Sequence, residues 1–441
     1  MERRPSFILD LSSFIFRPSS SLSGPPGPAK TPGSPMLLPI FLIVLVDILA
    51  FTLVIPLLAI YAENLGATPF VATLLVSVFA VCQLVSGPLL GRISDRVGRK
   101  PMLIVSQIGT LIGLLVMGSA NSLWLLFIGR ILDGATAGNL SLAQAYIADN
   151  SKPEDRARSF AIIGIAFGLG FFLGPSMAGY VSQYGLHAPF HVAAGLSLLS
   201  IVCTVVLLPN QAPVARAVGA DAGPGGQRLA LTDWGTYAQY FERPVLAGLL
   251  LQFLLFGFAF TTFTSGFALF AERTFHWHDQ PFTPREIGYL FAYAGFLGII
   301  LQGGLIGRLV KRFGEPVLVS AGFISMGAGY LLLGLTDQVA MLVVVATLVA
   351  FGQGVLRPTL TSLLSQSADP SEQGVVLGLS QSLTSIALVL APPLGGWLIG
   401  LGHLSSWAFV AAVASGLGWL AAGWGSSRAV VLSAAARADG R

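Results

Sequence analysis

The chain has 441 residues, 54% of them hydrophobic and only 10% charged, with a mean hydropathy of +0.77. Water-soluble domains carry about 25% charged residues, so this composition excludes a protein with a water-facing surface all round. The net charge of +4 is not gathered into basic runs interleaved with aromatics, which excludes a nucleic-acid binder, and two cysteines, Cys82 and Cys203, are too few for a disulfide framework.

Residues 1–35 open with Arg3-Arg4 and a short apolar run, Phe7–Phe16, that Asp10 interrupts. The Pro/Ser/Gly stretch that follows reads as a disordered tail rather than a signal peptide, and Met36 is a candidate start. Apolar windows between Gly, Pro and charge breaks then predict six spans, at about 37–62, 70–91, 101–120, 123–147, 158–183 and 188–208. A polar, Gly/Pro-rich linker covers 209–243. Six more spans follow at about 244–271, 286–307, 316–336, 338–364, 374–400 and 404–425. The expected organisation is a six-helix half at 36–208, a linker, a second half at 244–426 and a tail at 427–441. Cys82 and Cys203 fall inside spans as packing residues.

The distribution of positive charge tests the count. With both termini cytoplasmic, 20 of the 24 Lys and Arg residues lie on the inside, two (Arg273 and Arg285) outside, and two (Arg130 and Arg357) within the membrane. A wrong number of spans scrambles such an asymmetry.

The halves repeat. Gly87–Gly98, with Gly91, Arg92, Asp95 and Arg96, aligns with Gly303–Gly314 at an offset of 216 residues. Pro175 to Tyr180 matches Pro392 to Trp397, and Asp149 ahead of Glu154 matches Asp369 ahead of Glu372. Two six-helix halves of parallel topology are typical of a transporter with its substrate between them near the midplane. Gly87 and Gly91 leave bare backbone for close helix approach, and Arg92, Arg96, Arg99 and Lys100 hold the loop at the surface. Asp95 among them is placed to latch onto a neighbouring helix N-terminus. In the second copy Lys311 replaces Asp95 and Glu315-Pro316 replace Arg99-Lys100, so only the first copy is a latch.

Gly91-Arg92-Ile-Ser-Asp95-Arg96-Val-Gly98-Arg99-Lys100 resembles the cytoplasmic signature of the major facilitator superfamily. Gly170-x-x-x-Gly174-Pro175 looks like the hinge motif of its antiporter branches, with Ala178 where a glycine is usual. Leu126-x-x-x-Arg130-x-x-x-Gly134 looks like its intramembrane arginine motif. Asp47 to Pro56 resembles the start of twelve-span drug:proton antiporters, and Tyr146–Asp149, His187–Phe190 and Phe275–Trp277 are similar to tetracycline efflux proteins. The resemblance covers about Leu38 to Trp424. It implies an all-α protein of twelve transmembrane helices in the plasma membrane, acting as a monomer on a small-molecule substrate and protons, without a cofactor or metal. Tetracycline pumps also carry acids in spans 3 and 9; here those positions are Gly113 and Met326, which argues against tetracycline–metal exchange.

Four ionisable residues lie deep in spans: Asp47, Arg130, Asp133 and Arg357. Burying such groups in a bilayer costs several kcal/mol, roughly, so each is a functional candidate. A carboxyl removed from water favours its neutral form, which makes Asp47 the candidate proton- or cation-linked acid. Arg130 and Asp133, three apart on one helix, form either an internal ion pair or, as the resemblance implies, a device that tunes a nearby acid. Arg357 precedes Pro358, which is expected to break the helix; the guanidinium then serves the freed carbonyls or meets an anion in the cavity.

Phe253, Phe256, Phe260, Phe263, Phe267 and Phe270 repeat at steps of three and four. They form either a packing or lipid-facing stripe or an aromatic wall for flat substrates. The expected function is proton-coupled efflux of hydrophobic or amphipathic molecules. The alternatives are uptake or facilitated transport of a polar or anionic metabolite, and a receptor that does not transport. No nucleophile–base or metal constellation supports an enzyme.

Overall fold

A chain this apolar satisfies its backbone polar groups inside a bilayer by forming helices. The structure, a computed structural model, describes residues 37–150, 156–209, 239–368 and 372–439. The tail at 1–35, most of the expected linker, and Glu154 and Asp369 of the repeat lie outside these residues.

The first half contains α1 (Leu37–Asn64), α2 (Pro69–Val97), α3 (Arg99–Gly118), α4 (Leu123–Ala135), α5 (Asn139–Asn150), α6 (Arg156–Val181) and α7 (Ala188–Leu207). The second half contains α8 (Pro244–Thr274), α9 (Pro284–Ile300), α10 (Ile306–Phe313), α11 (Glu315–Leu335), α12 (Val339–Gln366), α13 (Gln373–Gly400) and α14 (Leu404–Asp439). A small hairpin, His276–Trp277 against Gln280–Pro281, joins α8 to α9. Among the described residues, ten helical stretches are long and apolar enough to cross a membrane, with α9 through α10 counted as one. Trp124, Val206 and Leu335 are each more than two-thirds exposed on the outer surface, as lipid contact requires and water would penalise.

Local chemistry explains where the helices start. Thr68 caps α2 and Thr283 caps α9, each followed by proline at the first helical position, where a missing N–H costs nothing. At α9 the Glu286 carboxylate also accepts from the Thr283 N–H at 2.9 Å, completing a capping box.

Three expectations need correction. The fourth span is not continuous over 123–147: the chain breaks at 136–138 between α4 and α5. There Ser106 of α3 donates to the Thr136 carbonyl and accepts from the Gly138 N–H at 2.9 Å, so a neighbouring side chain satisfies the interrupted backbone. The eighth span is likewise not a single α-helix: Leu301–Leu305 form a π-turn between α9 and α10, over the Gly303-Gly304 pair that resists regular winding. By contrast, α12 runs unbroken through Pro358. Proline removes one ladder bond, while the Thr359 and Thr361 hydroxyls bond the Val355 and Arg357 carbonyls at 2.7 Å each. The twelfth expected span, about 404–425, agrees with the apolar stretch Leu404–Gly423, which forms the first part of α14.

The internal repeat is visible in the backbone. Gly98 and Gly314, 216 residues apart, both adopt positive φ (106° and 78°) with ψ of 152° and 157°, and each is the sole link between two helices. L-residues pay steric strain there and glycine does not.

The two halves meet near one end of the bundle, the end that carries the hairpin. Ser77 of α2 donates to the Val389 carbonyl of α13 at 2.8 Å. Gly179 of α6 and Gly288 of α9 bring their backbones together, so that a β-carbon at Gly288 would stand 2.9 Å from the Gly179 α-carbon. Arg273, at the end of α8, holds both Glu63 oxygens of α1 at 2.8 and 2.9 Å. At the opposite, basic end, Gly87, Gly91, Gly303, Gly304 and Gly307 have nothing within 4 Å of where a side chain would start. The halves are closed at the hairpin end, and these glycine faces are open at the basic end.

Candidate functional site

Hydrocarbon leaves a charged side chain only two options, a partner or a wet cavity. Arg130 is 3% and Asp133 6% exposed on α4, and they pair at 3.3 Å. The guanidinium carbon of Arg130 lies 5.3 Å from the centre of the Phe79 ring on α2, which gives the cation a second, softer partner. Thr110 of α3 hydrogen-bonds the Asp133 carboxylate from the side.

Asp47 of α1 is partly buried, and its carboxyl interacts with Ser200 of α7 and Gln107 of α3, with Asp133 near enough to repel it. The Gln107 Nε2 also donates to the Ser200 hydroxyl at 2.7 Å, while the Gln107 Oε1 is buried without a partner. Three helices thus direct polar groups at one carboxyl. Asp47, Arg130 and Asp133 are brought into one electrostatic group in the first half. Arg357 is placed apart, exposed on α12 in the second half.

Span positions where tetracycline pumps carry acids are filled here for steric reasons. A side chain starting at Gly113 would stand 2.8 Å from the Gly129 carbonyl and 3.0 Å from the Asp133 β-carbon. There is no room for an acid on α3, and Asp133 supplies a carboxylate next to the same spot from α4. Met326 is fully buried, and its β-carbon lies where a side chain at Gly352 would start.

The glycine motif of α6 makes close packing. Thr52 of α1 donates to the Gly170 carbonyl at 2.9 Å, and its side chain occupies the space that a β-carbon at Gly174 would need. Pro175 offers its carbonyl face to Gly288 of the other half. This one helix therefore contacts both its own half and the opposite one. In the basic loop, Asp95 pairs with Arg99 at 2.7 Å, and Arg99 also reaches the Ser94 hydroxyl at 2.5 Å. Lys100 donates to the Val205 and Leu208 carbonyls at 2.8 and 2.6 Å, capping the end of α7 where the helix dipole favours a cation. Arg92 and Arg96 are exposed, Gly98 makes the turn, and Gly87 and Gly91 face open space.

The phenylalanine stripe is mostly core. Phe253, Phe256, Phe263, Phe267 and Phe270 are all buried, with Phe263 5.3 Å from Tyr330 and Phe270 4.9 Å from Trp407. Only Phe260 is half-buried, 6.1 Å from Phe171 of the other half. Where the halves meet, Phe51, Ile55, Val76, Phe79, Arg130, Thr261, Thr264, Ser265 and Leu388 enclose a cavity of about 30 Å³, room for one water molecule.

Sequence reasoning missed Gln107, Thr110 and Ser200, whereas Thr261 and Thr264, readable as a face for close helix contact or a wet cavity, do line the cavity. The signal was present for Gln107, a lone amide in an apolar span, but neutral polar groups occur in every span and only helix crossing selects among them.

A family model, described as Major Facilitator Superfamily, matches residues 40–317 and 282–436, nearly the whole described fold. The chain belongs to that superfamily. The class C tetracycline resistance protein of Escherichia coli is 30% identical over 352 residues, 79% of this chain and 86% of that one. Multidrug resistance protein 2 of Bacillus subtilis (strain 168) is 25% identical over 82% of this chain and 89% of its own length. Among solved structures, a human organic anion transporter superposes with a TM-score of 0.64 at 24% identity, covering 88% of this chain and 99% of that one. A nucleoside transporter superposes with a TM-score of 0.71 at 13% identity, covering 89% and 99%. The protein is an integral, multi-pass membrane protein with the major facilitator fold, and it is not an enzyme.

Proposed function

We propose that the chain is a proton-coupled antiporter that expels hydrophobic or amphipathic small molecules across the plasma membrane by alternating access. In this reading it spans the membrane twelve times in two six-helix halves, with both termini and the basic end cytoplasmic, and works as a monomer. The observation that carries the reading is Asp47: a carboxyl inside a span, faced by Ser200 and Gln107 and coupled electrostatically to the buried Asp133–Arg130 pair. Loading Asp47 with a proton removes a charge from this group, which changes the electrostatic balance between α1, α3, α4 and α7. Movement of the halves about the α6–α9 contact, with Gly170, Gly174 and Pro175 at its core, would alternate access, and the Gly87–Lys100 loop would latch the basic end when it closes. The names of the relatives, tetracycline and multidrug resistance proteins, favour export of drug-like molecules.

The test is transport in proteoliposomes with an imposed pH gradient and a panel of lipophilic aromatic dyes. Substrate-driven proton movement is expected in the natural chain and lost in Asp47→Asn. Proton movement that persists unchanged in that variant overturns the assignment.

A further inference from the structure

The 30 Å³ cavity has two chemically distinct walls. The first half contributes aromatic and apolar surface from Phe51, Phe79 and Val76, together with Arg130. The second half contributes the hydroxyl-bearing face of α8, Thr261, Thr264 and Ser265.

Two donors at this place lack acceptors. The Arg130 guanidinium is 97% buried by its 3% exposure, and its Nε–H has no hydrogen-bond partner among the described residues. Of the α8 hydroxyls, Thr264 donates to the Phe260 carbonyl at 3.0 Å and Ser265 to the Thr261 carbonyl at 2.7 Å. The Thr261 hydroxyl makes no such backbone bond among the described residues, although it is 5% exposed and lines the cavity. A buried donor without an acceptor, as the Arg130 Nε–H is, is uncommon because its lost hydration is not replaced. Arg130 and Thr261 both line the cavity where the halves meet.

From this juxtaposition we infer that the cavity is a subsite for a hydrogen-bond-accepting oxygen, a carbonyl or carboxylate at the edge of a flat aromatic molecule. Its size admits the oxygen and not a ring, so the ring lies beyond it, beside Phe51 and Phe79 and toward the Phe171–Phe260 pair that spans the halves at 6.1 Å. Asp133 already neutralises Arg130, so the acceptor need not carry a charge, but a cationic group in its place would face donors only. The inference rests on the transport reading for its purpose. It specifies what that reading leaves open, the chemistry of the substrate edge.

The test is calorimetric binding to the full chain in detergent at fixed pH, with no proton gradient, so that coupling is not measured. The probes are 1-naphthoate, 1-naphthamide and 1-naphthylmethylammonium, which share a ring and differ at one edge. The naphthoate and naphthamide are expected to bind, with the ammonium weaker by about tenfold or more, the worth of one buried hydrogen bond to a charged donor. Thr261→Val, which keeps the side-chain shape, should weaken the first two by several-fold and leave the ammonium unaffected, and Thr261→Ser should restore them. Arg130→Lys, which keeps a cation near Asp133 but removes the Nε–H, should reduce the preference for acceptor edges by several-fold. Equal affinity for the three probes, no binding by any of them, or a Thr261→Val chain of native melting temperature with unchanged affinities would each overturn the subsite. Loss of proton movement in Asp47→Asn is measured separately in vesicles, so either idea can fail while the other stands.

Discussion

The two halves share a backbone plan and differ in what they bury. The first half encloses ions and amides: Asp47, Gln107 and Ser200 beside Arg130 and Asp133. The second half encloses rings in the equivalent layer: Phe263, Phe270, Tyr330 and Trp407, with the Trp407 Nε1 donating to the Thr262 carbonyl at 3.1 Å. A duplicated fold has thus been divided between a half that buries ions and amides and a half that buries rings. The difference teaches that the repeat preserves loops such as Gly98 and Gly314, where geometry is demanding, and releases helix interiors to diverge.

The largest expected effect separates the halves most sharply. Arg130→Met leaves Asp133 buried and unpaired, which should cost about 3–5 kcal/mol of stability. The double variant Arg130→Met, Asp133→Leu should recover most of that melting temperature without recovering transport; if it recovers both, the pair is structural only. Trp407→Ala, by contrast, should cost about 3 kcal/mol through the cavity it leaves, while the proton dependence of residual transport stays as in the natural chain. Detergent melting curves with proton flux in vesicles distinguish the two outcomes.

A smaller effect concerns the seam. Glu63 and Arg273 form the exposed cross-half ion pair at the hairpin end, worth about 1 kcal/mol or less. Arg273→Gln should raise the fraction of chains open at that end by a few-fold, read as increased accessibility of a cysteine introduced at Thr73 to a membrane-impermeant thiol reagent. A pair of spin labels at the basic end should move closer in the same variant.

The smallest effect is a pH dependence. Hydrogen bonds from Arg243, at 2.6 and 3.0 Å, hold the Glu372 carboxyl below its ordinary range. A depressed folded-state value stabilises the protein above the ordinary carboxylate range, and that stability is lost as pH falls through the folded-state value. Arg243 is half exposed and Glu372 partly so, which lets solvent screen the pair; the contribution should be under about 1 kcal/mol, and Arg243→Gln should flatten this part of the acid melting profile.

Much of this was readable before any coordinates. Asp47, Arg130 and Asp133 stood out because an ionisable residue in an apolar span is costly enough to demand a reason. The Gly98 turn stood out because its motif recurs at Gly314. The break at 136–138 did not, because Gly134 and Gly138 also suit a packed helix, and Ser106, the residue that stitches the break, lies on another span. Pro358 misled in the opposite direction: α12 runs unbroken through it, at the cost of the one ladder bond that its missing N–H would have made. The phenylalanine stripe showed periodicity but not direction, and burial resolved it into core.

Composition and spacing were sufficient for the repeat and the membrane setting, since hydrocarbon rejects unpaired backbone and charge wherever a helix sits within it. Helix crossing decided the rest: that Gln107 and Ser200 face Asp47, that Gly113 yields its place to Asp133, and that the unpartnered donors of Arg130 and Thr261 line one cavity. Those pairings depend on rotation and depth of helices distant in the chain, and a hydrogen bond is made or missed within an ångström.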